Sequence, residues 1–308
     1  MTFGIATTGV YPIAATPFHP DGRLDTDGID RLTDFYQECG ASGMTILGIM
    51  GEAQKLEPKE SRAIADRVIA RARVPVVVGT SAPGFAAMRR LARGAMDAGA
   101  AGVMLAPAPH LRSDEQIAAY FAQAVEAIGD DVPWVLQDYP LTLNVVMSIP
   151  LIARIMSDHP SCVMLKHEDW PGLEKISGLR RMQAAGTLRP FSILTANGGL
   201  FLDFEAGRGA DGSMTGYAFP DMLVELNKLQ SDGASEAAHD LFDAHLPLIR
   251  YEQQPAVGLS VRKYVLMRRG VIASEVQRKP GPALSPAARA EVDLLLRRLA
   301  RRDPRAAV

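Results

Sequence analysis

A lysine follows an apolar run in the middle of the chain. Lys166 comes directly after Val163, Met164 and Leu165, a stretch typical of a buried β-strand. If strand alternation turns the lysine side chain inward, burial disfavours its ammonium form and leaves a nucleophilic amine. The alternative is an ordinary lysine at a strand end, whose side chain simply reaches water. The surrounding residues must decide between these two interpretations.

Other short apolar runs also lead into residues that could hold or orient a ligand. The run at 134–137 ends in Gln137 and is followed by Asp138 and Tyr139. Glu168 lies two residues beyond Lys166, on the same side of a regular strand. The remaining candidates at the ends of such runs are Thr16, Ile49, Met50, Gly51, Glu52, Asn197, Met214 and Tyr217.

These candidates need a scaffold that brings the ends of several strands together. Eight apolar runs occur about thirty residues apart, which is the length of one βα unit, and helical periodicity fills the gaps. They lie at 10–15, 44–47, 76–79, 102–105, 134–137, 162–165, 191–194 and 212–215. The runs are apolar almost throughout, as parallel strands buried on both faces are.

The pattern predicts a (β/α)8 TIM barrel over residues 1–232, followed by a C-terminal helical extension over 233–308. An open doubly wound sheet is the alternative, but no G-x-G-x-x-G motif follows the first strand. In a (β/α)8 barrel the active site lies at the C-terminal ends of the strands, where the candidate residues occur.

Composition excludes several classes of function. A formal net charge of −2 does not fit a nucleic-acid-binding protein, which usually carries a strong basic excess. The two cysteines, Cys39 and Cys162, are far apart, and no spacing suggests a metal site or a disulfide framework. The N-terminus does not resemble a signal peptide, and no apolar run could span a bilayer. We therefore expect a cytoplasmic protein that interacts with neither membrane nor nucleic acid.

Several motifs resemble those of the dihydrodipicolinate synthase and N-acetylneuraminate lyase family. They are ATPF at 15–18, GIMGEA at 48–53, the strand that ends in Lys166, and GADG at 209–212 followed by Pro220. The resemblance covers essentially the whole chain. It implies that Lys166 forms a Schiff base with a 2-oxo acid such as pyruvate or a sugar-derived keto acid. It also implies an aldolase or dehydratase that needs no metal or organic cofactor and assembles as a homo-oligomer, either a dimer or a tetramer.

The chain departs from the family at its acid–base residues. Gln137 occupies the position of a tyrosine that relays protons, and glutamine cannot exchange a proton usefully at neutral pH. Ile49 and Met50 replace two hydroxyl residues that help to hold the substrate carboxylate, so only backbone N–H groups remain there. Thr142 replaces an arginine that binds a distal carboxylate. These differences argue against dihydrodipicolinate synthase activity.

Some of the remaining residues could take over the lost roles. Tyr139 lies two residues beyond Gln137 and should face the same side of the strand, and Glu168 could act as a carboxylate base. Asp138 should point toward the helix layer if the strand is regular, Glu52 should brace the loop after strand two, and Tyr217 offers another phenol at the barrel mouth. A catalytically silent member that binds a carbonyl ligand as a sensor or regulator remains the alternative to a lyase.

Overall fold

Eight parallel strands form the centre of the protein in a computed structural model that describes residues 3–170 and 172–308. Each strand is buried, as expected where helices cover one face and side chains fill the other. The strands are β1 (Gly9–Val10), β2 (Met44–Ile46), β3 (Val76–Gly79), β4 (Gly102–Leu105), β5 (Trp134–Asp138), β6 (Cys162–His167), β7 (Ser192–Thr195) and β8 (Gly212–Ser213).

The sheet closes on itself between its first two strands. Hydrogen-bonded neighbours run in the order β1-β8-β7-β6-β5-β4-β3-β2. A bridge between Ile13 and Thr45 joins the two ends, and the Ala14 N–H donates to the Thr45 carbonyl at 2.8 Å. The predicted barrel class is therefore confirmed.

The barrel interior is a packed apolar layer. Met104, Val135, Met164, Leu194 and Met214 are among the buried side chains that meet inside it. Alternation along a strand then turns the residue two positions further on to the same side. Two positions beyond Val135 and Met164, on adjacent strands, are the paired residues Gln137 and Lys166.

Nine α-helices connect or follow the strands and cover the outside of the barrel. Several begin at polar N-caps, for example Ser113, whose hydroxyl accepts the Gln116 N–H at 3.3 Å in a capping box. The helices are α1 (Thr26–Glu38), α2 (Pro58–Arg71), α3 (Phe85–Asp97), α4 (Asp114–Ile128), α5 (Pro140–Leu143), α6 (Ile149–Asp158), α7 (Leu173–Ala184), α8 (Leu202–Gly207) and α9 (Pro220–Ser231), counted over residues 3–170 and 172–308.

Three more helices form the expected C-terminal segment: α10 (Ser235–Glu252), α11 (Gly258–Arg268) and α12 (Pro286–Leu299). The last one packs on both of the others, and α10 also packs on α9. The ammonium of Lys263 on α11 lies 2.6 Å from the carboxylate of Glu52, so this segment contacts the loop that follows β2. Across the described ranges, no helix combines the length and the apolar character that crossing a bilayer requires.

Candidate active site

A cavity of about 150 Å³ opens at the C-terminal ends of the strands. Strands β5 and β6, the segments that follow β1, β7 and β8, the loop after β2 and the C-terminal segment all contribute to its wall. The lining residues are Ile13, Gly48, Ile49, Met50, Gln137, Tyr139, Lys166, Glu168, Gly198, Met214, Thr215, Gly216, Gln253, Leu259 and Arg262.

Lys166 lies in this cavity beside a carboxylate. Lys166 is only 4% exposed, and its Nζ lies 2.6 Å from Oε1 of Glu168, a residue that is 5% exposed. The same Oε1 accepts a hydrogen bond from Nε2 of Gln137 at 2.6 Å. The Glu168 N–H donates to the Asp138 carbonyl at 2.8 Å, so the backbone beyond β6 remains attached to β5. That attachment continues the strand alternation and turns Glu168 toward the lysine.

This arrangement pairs a nucleophile with a proton acceptor in a site largely closed to water. A carboxylate at hydrogen-bond distance can take a proton from the ammonium, or from a carbon atom once that carbon is attached to the lysine. Gln137 donates to the carboxylate and fixes its orientation. A glutamine can thus orient the carboxylate without exchanging protons itself.

Tyr139 adds a phenol to the same wall. The residue is half-buried, and burial raises the pKa of its hydroxyl above the ordinary value, an effect that the nearby carboxylate of Glu168 reinforces. The phenol therefore stays protonated at neutral pH and can donate a hydrogen bond or a proton to a ligand.

The loop after β2 presents an apolar surface to the cavity. The side chains of Ile49, which is 43% exposed, and Met50 line it. The Thr16 hydroxyl donates to the Gly51 carbonyl at 2.6 Å, so Thr16 holds this loop and lies outside the set of lining residues. The backbone N–H groups of Met50 and Gly51 donate to no acceptor within the described residues.

Glu52 also holds the loop. It is 3% exposed and adopts a left-handed backbone conformation with φ of 56°. Its Oε1 accepts from Lys263 Nζ at 2.6 Å, while its Oε2 accepts from Lys55 Nζ at 2.9 Å and from the Arg278 backbone N–H at 3.0 Å. Glu52 thus joins the β2 loop to the C-terminal segment through Lys263 and the Arg278 backbone, while Lys55 binds it from within the loop.

Asp138 points away from the cavity, as strand parity predicts. It is fully buried on the outer face of β5, where its Oδ2 accepts from Lys175 Nζ at 2.8 Å and lies 3.6 Å from Nδ1 of His167. Nε2 of His167 contacts the Gly172 carbonyl at 3.0 Å. These groups tie the ends of β5 and β6 to α7.

Asn197 and Tyr217 also lie outside the set of lining residues. Asn197 begins a short 3-10 turn with φ of 50°, and its neighbour Gly198 reaches the cavity. The Tyr217 hydroxyl contacts Nδ1 of His245 at 2.7 Å, and Nε2 of His245 contacts Oδ2 of Asp303 at 2.8 Å. Tyr217 therefore connects the end of the barrel to α10 and to the C-terminal tail.

The C-terminal segment contributes three lining residues, although the sequence predicted no site residue there: Gln253, which follows α10, and Leu259 and Arg262 on α11. The only local signal was an arginine and a lysine, Arg262 and Lys263, inside an otherwise apolar helical stretch. In the parts of the chain that the structure describes, no group of three or more histidines, cysteines, aspartates or glutamates could hold a metal ion.

The chain is similar to known proteins along most of its length. A family model described as the dihydrodipicolinate synthetase family matches residues 6–299. An L-2-keto-3-deoxyarabonate dehydratase from Azospirillum brasilense is 31% identical over 94% of each chain. A 4-hydroxy-tetrahydrodipicolinate synthase from Methanothrix thermoacetophila is 30% identical over 79% of this chain and 80% of its own length. A crystal structure of a dihydrodipicolinate synthase from Rhodopseudomonas palustris is 65% identical and has a TM-score of 0.95, with 97% of this chain and 99% of that chain covered.

Proposed function

The chain belongs to the dihydrodipicolinate synthetase family, and on that premise we propose that it is a lyase that forms a Schiff base between Lys166 and a 2-oxo acid. The observation that carries this proposal is the buried contact of 2.6 Å between Lys166 Nζ and Glu168 Oε1, at the C-terminal ends of the barrel strands. A nucleophile and a proton carrier share one cavity there, which is what imine chemistry requires.

Imine formation is the first step, and Glu168 ends it as the carboxylate with which it began. The carboxylate takes a proton from the Lys166 ammonium, and the free amine attacks the keto carbon to form a C–N bond. The carbinolamine then loses its oxygen as water, using the proton held on Glu168. The balance is one ammonium and one ketone giving one iminium and one water.

Glu168 can then act a second time. The iminium withdraws electrons from the adjacent carbon, and the carboxylate removes a proton from that carbon to give an enamine. Expulsion of a hydroxyl from the next carbon, with a proton returned to it, releases water, and hydrolysis of the new imine frees the product. Dehydration of a hydroxylated 2-oxo acid is the reaction that the Azospirillum relative's name favours, while the same enamine would also serve an aldolase.

We propose further that this reaction differs from that of a true dihydrodipicolinate synthase. Gln137 cannot relay protons, and Thr142 cannot pair with a distal carboxylate. The apolar side chains of Ile49 and Met50 leave the backbone N–H groups of Met50 and Gly51 to receive the carboxylate next to the keto group. Absence of condensation between pyruvate and aspartate semialdehyde is the expected result.

We also expect a homo-oligomer, either a dimer or a tetramer. Trp170 and Phe204 are 51% and 56% exposed. Large aromatic side chains with this exposure are often covered by a partner chain in an oligomer. Sedimentation velocity measures the assembly directly, and a monomer at micromolar concentration would contradict the expectation.

Borohydride reduction tests the central proposal. The protein is incubated with a panel of 2-oxo acids, reduced, and digested, and the mass of the peptide that carries Lys166 is measured. We expect a covalent adduct that disappears in Lys166→Ala. No adduct with any acid, or an adduct that persists in the variant, refutes the Schiff base. An adduct without turnover of any substrate would instead indicate a ligand sensor.

A further inference from the structure

The wall of the cavity contributed by the C-terminal helices is polar, although the sequence predicted no function for it. Gln253 and Arg262 lie there together with the apolar Leu259. Ile13 and Met214 line the same cavity from the barrel. The cavity therefore has two polar regions, one around Lys166 and one on the C-terminal helices, together with an apolar surface.

Arg262 is held by a buried carboxylate. Its Nε donates to Oε2 of Glu252 at 3.0 Å, and Glu252 is 1% exposed. Burial raises the pKa of Glu252 to about 7, while Arg262 opposes that rise. The pairing uses only one edge of the guanidinium. Its terminal Nη1 and Nη2 groups donate to no acceptor among residues 3–170 and 172–308.

Gln253 presents a second unsatisfied donor. Its Nε2 is buried and has no hydrogen-bond partner in the described chain. Gly198 makes room for it: a Cβ atom there would collide with Nε2 of Gln253 and would come within 3.1 Å of Nη2 of Arg262. The two donors therefore approach the same glycine, and a buried donor without an acceptor is destabilising unless a ligand supplies one.

We propose that Arg262 and Gln253 form a subsite for an oxygen acceptor at the end of the substrate remote from the keto group. This inference rests on the proposed function and specifies its substrate class: a 2-oxo acid whose distal carbon carries an oxygen. The acceptor can be a carboxylate, which suits the forked donors of a guanidinium, or a neutral oxygen. Ile13, Met214 and Leu259 provide apolar contacts for the carbon atoms between the two ends.

The test compares three five-carbon-backbone 2-oxo acids by isothermal titration calorimetry. 2-Oxopentanoate has no distal oxygen, 2-oxoglutarate has a carboxylate, and 5-methoxy-2-oxopentanoate has an ether oxygen that cannot close onto the ketone. We expect at least one of the two oxygenated acids to bind about tenfold or more tightly than 2-oxopentanoate, the size expected for hydrogen bonds from a charged donor. Preference for 2-oxoglutarate alone identifies a carboxylate site, and preference for both identifies a general acceptor site.

Variants assign the preference to the subsite. Arg262→Met should reduce it to less than about threefold, and Gln253→Leu should reduce it partially. Because Arg262→Met leaves Glu252 buried without its partner, the double variant Arg262→Met/Glu252→Gln provides a version with no uncompensated charge. Arg250→Met, which changes an exposed arginine of α10, is the matched control and should bind like the unmodified protein.

Lys166→Ala separates this inference from the proposed function. We expect the preference for a distal oxygen to persist in Lys166→Ala while borohydride trapping disappears. Equal binding of all three acids by the unmodified protein, or a preference unchanged in the double variant, overturns the subsite. Failure of trapping alone refutes the Schiff base and leaves the binding comparison valid.

Discussion

Replacing Glu168 by glutamine tests whether this carboxylate carries the proton that the family tyrosine carries elsewhere. The change keeps the shape of the side chain, and its amide oxygen can still accept the hydrogen bond from Gln137. It removes the negative charge that lies 2.6 Å from Lys166 Nζ. The Lys166 side chain itself is unchanged, so the nucleophile is retained in this variant.

The two steps of the reaction should therefore respond differently. General acid–base catalysis by a positioned side chain contributes about 10²–10⁴ in rate, or about 3–5 kcal/mol. We expect the proton transfer at the carbon next to the imine to slow by that factor in Glu168→Gln. Imine formation should slow by less than that factor, because the nucleophile is intact and water can carry the lysine's proton to the departing oxygen in place of Glu168.

Two measurements separate these steps with one ligand. Borohydride trapping reports imine formation, and exchange of the pyruvate methyl protons for deuterium in D₂O, followed by NMR, reports proton transfer. Glu168→Asp is the matched control, since it retains the charge but moves it back by one methylene. A parallel fall of trapping and exchange would show that Glu168 only positions Lys166, and unchanged exchange would refute its role as proton carrier.

Three further predictions concern buried polar groups outside the cavity. Lys263→Met should lower the free energy of unfolding by about 3 kcal/mol in urea titrations, because it leaves Glu52 short of a buried partner, and Glu52→Gln in the same chain should recover part of the loss. Burial raises the pKa of Glu205 from 4.5 to about 7, so the native state holds a proton that the unfolded state releases, and stability must fall as pH rises between these values. Glu205→Gln should remove that dependence and raise the free energy of unfolding by up to about 3 kcal/mol at pH 8. The melting temperature measured against pH checks this, and equal slopes in the two proteins would contradict it. Tyr217→Phe should lower the free energy of unfolding by about 1–3 kcal/mol, because the contact with His245 is lost. Borohydride trapping at Lys166 should stay intact, and a loss of trapping would place Tyr217 in the reaction.

The sequence was sufficient to predict the barrel, because each βα unit shows its own local pattern. The strand boundaries differ where backbone pairing decides them. The run at 10–15 contributes only Val10 to β1, which begins one residue earlier at Gly9, and the separate bridge at Ile13; Pro12 between them has no N–H to add to the ladder. The run at 162–165 extends to His167, so Lys166 lies within β6 and not after it.

The candidate site was predictable only in part. Alternation along single strands predicts inward side chains at Gln137 and Lys166, and both line the cavity. Tyr217 has no such constraint, and its hydroxyl contacts His245, a partner 28 residues away. Arg262 and Gln253 reach the cavity because whole helices dock over the barrel mouth, and that docking depends on contacts distant in sequence that local patterns do not encode.

The closure of the sheet between β1 and β2 has a consequence for how the protein is made. β1 pairs with β8, about two hundred residues later, through Gly9 with Gly212 and Val10 with Ser213. During synthesis the first strand must therefore wait until the other seven strands have been made before the barrel can close. Glu52, near the start, meets Lys263 later still. The N-terminal segment thus stays without its barrel partner until β8 has been made, and the cavity is complete only once Gln253 and α11 have docked over the barrel mouth.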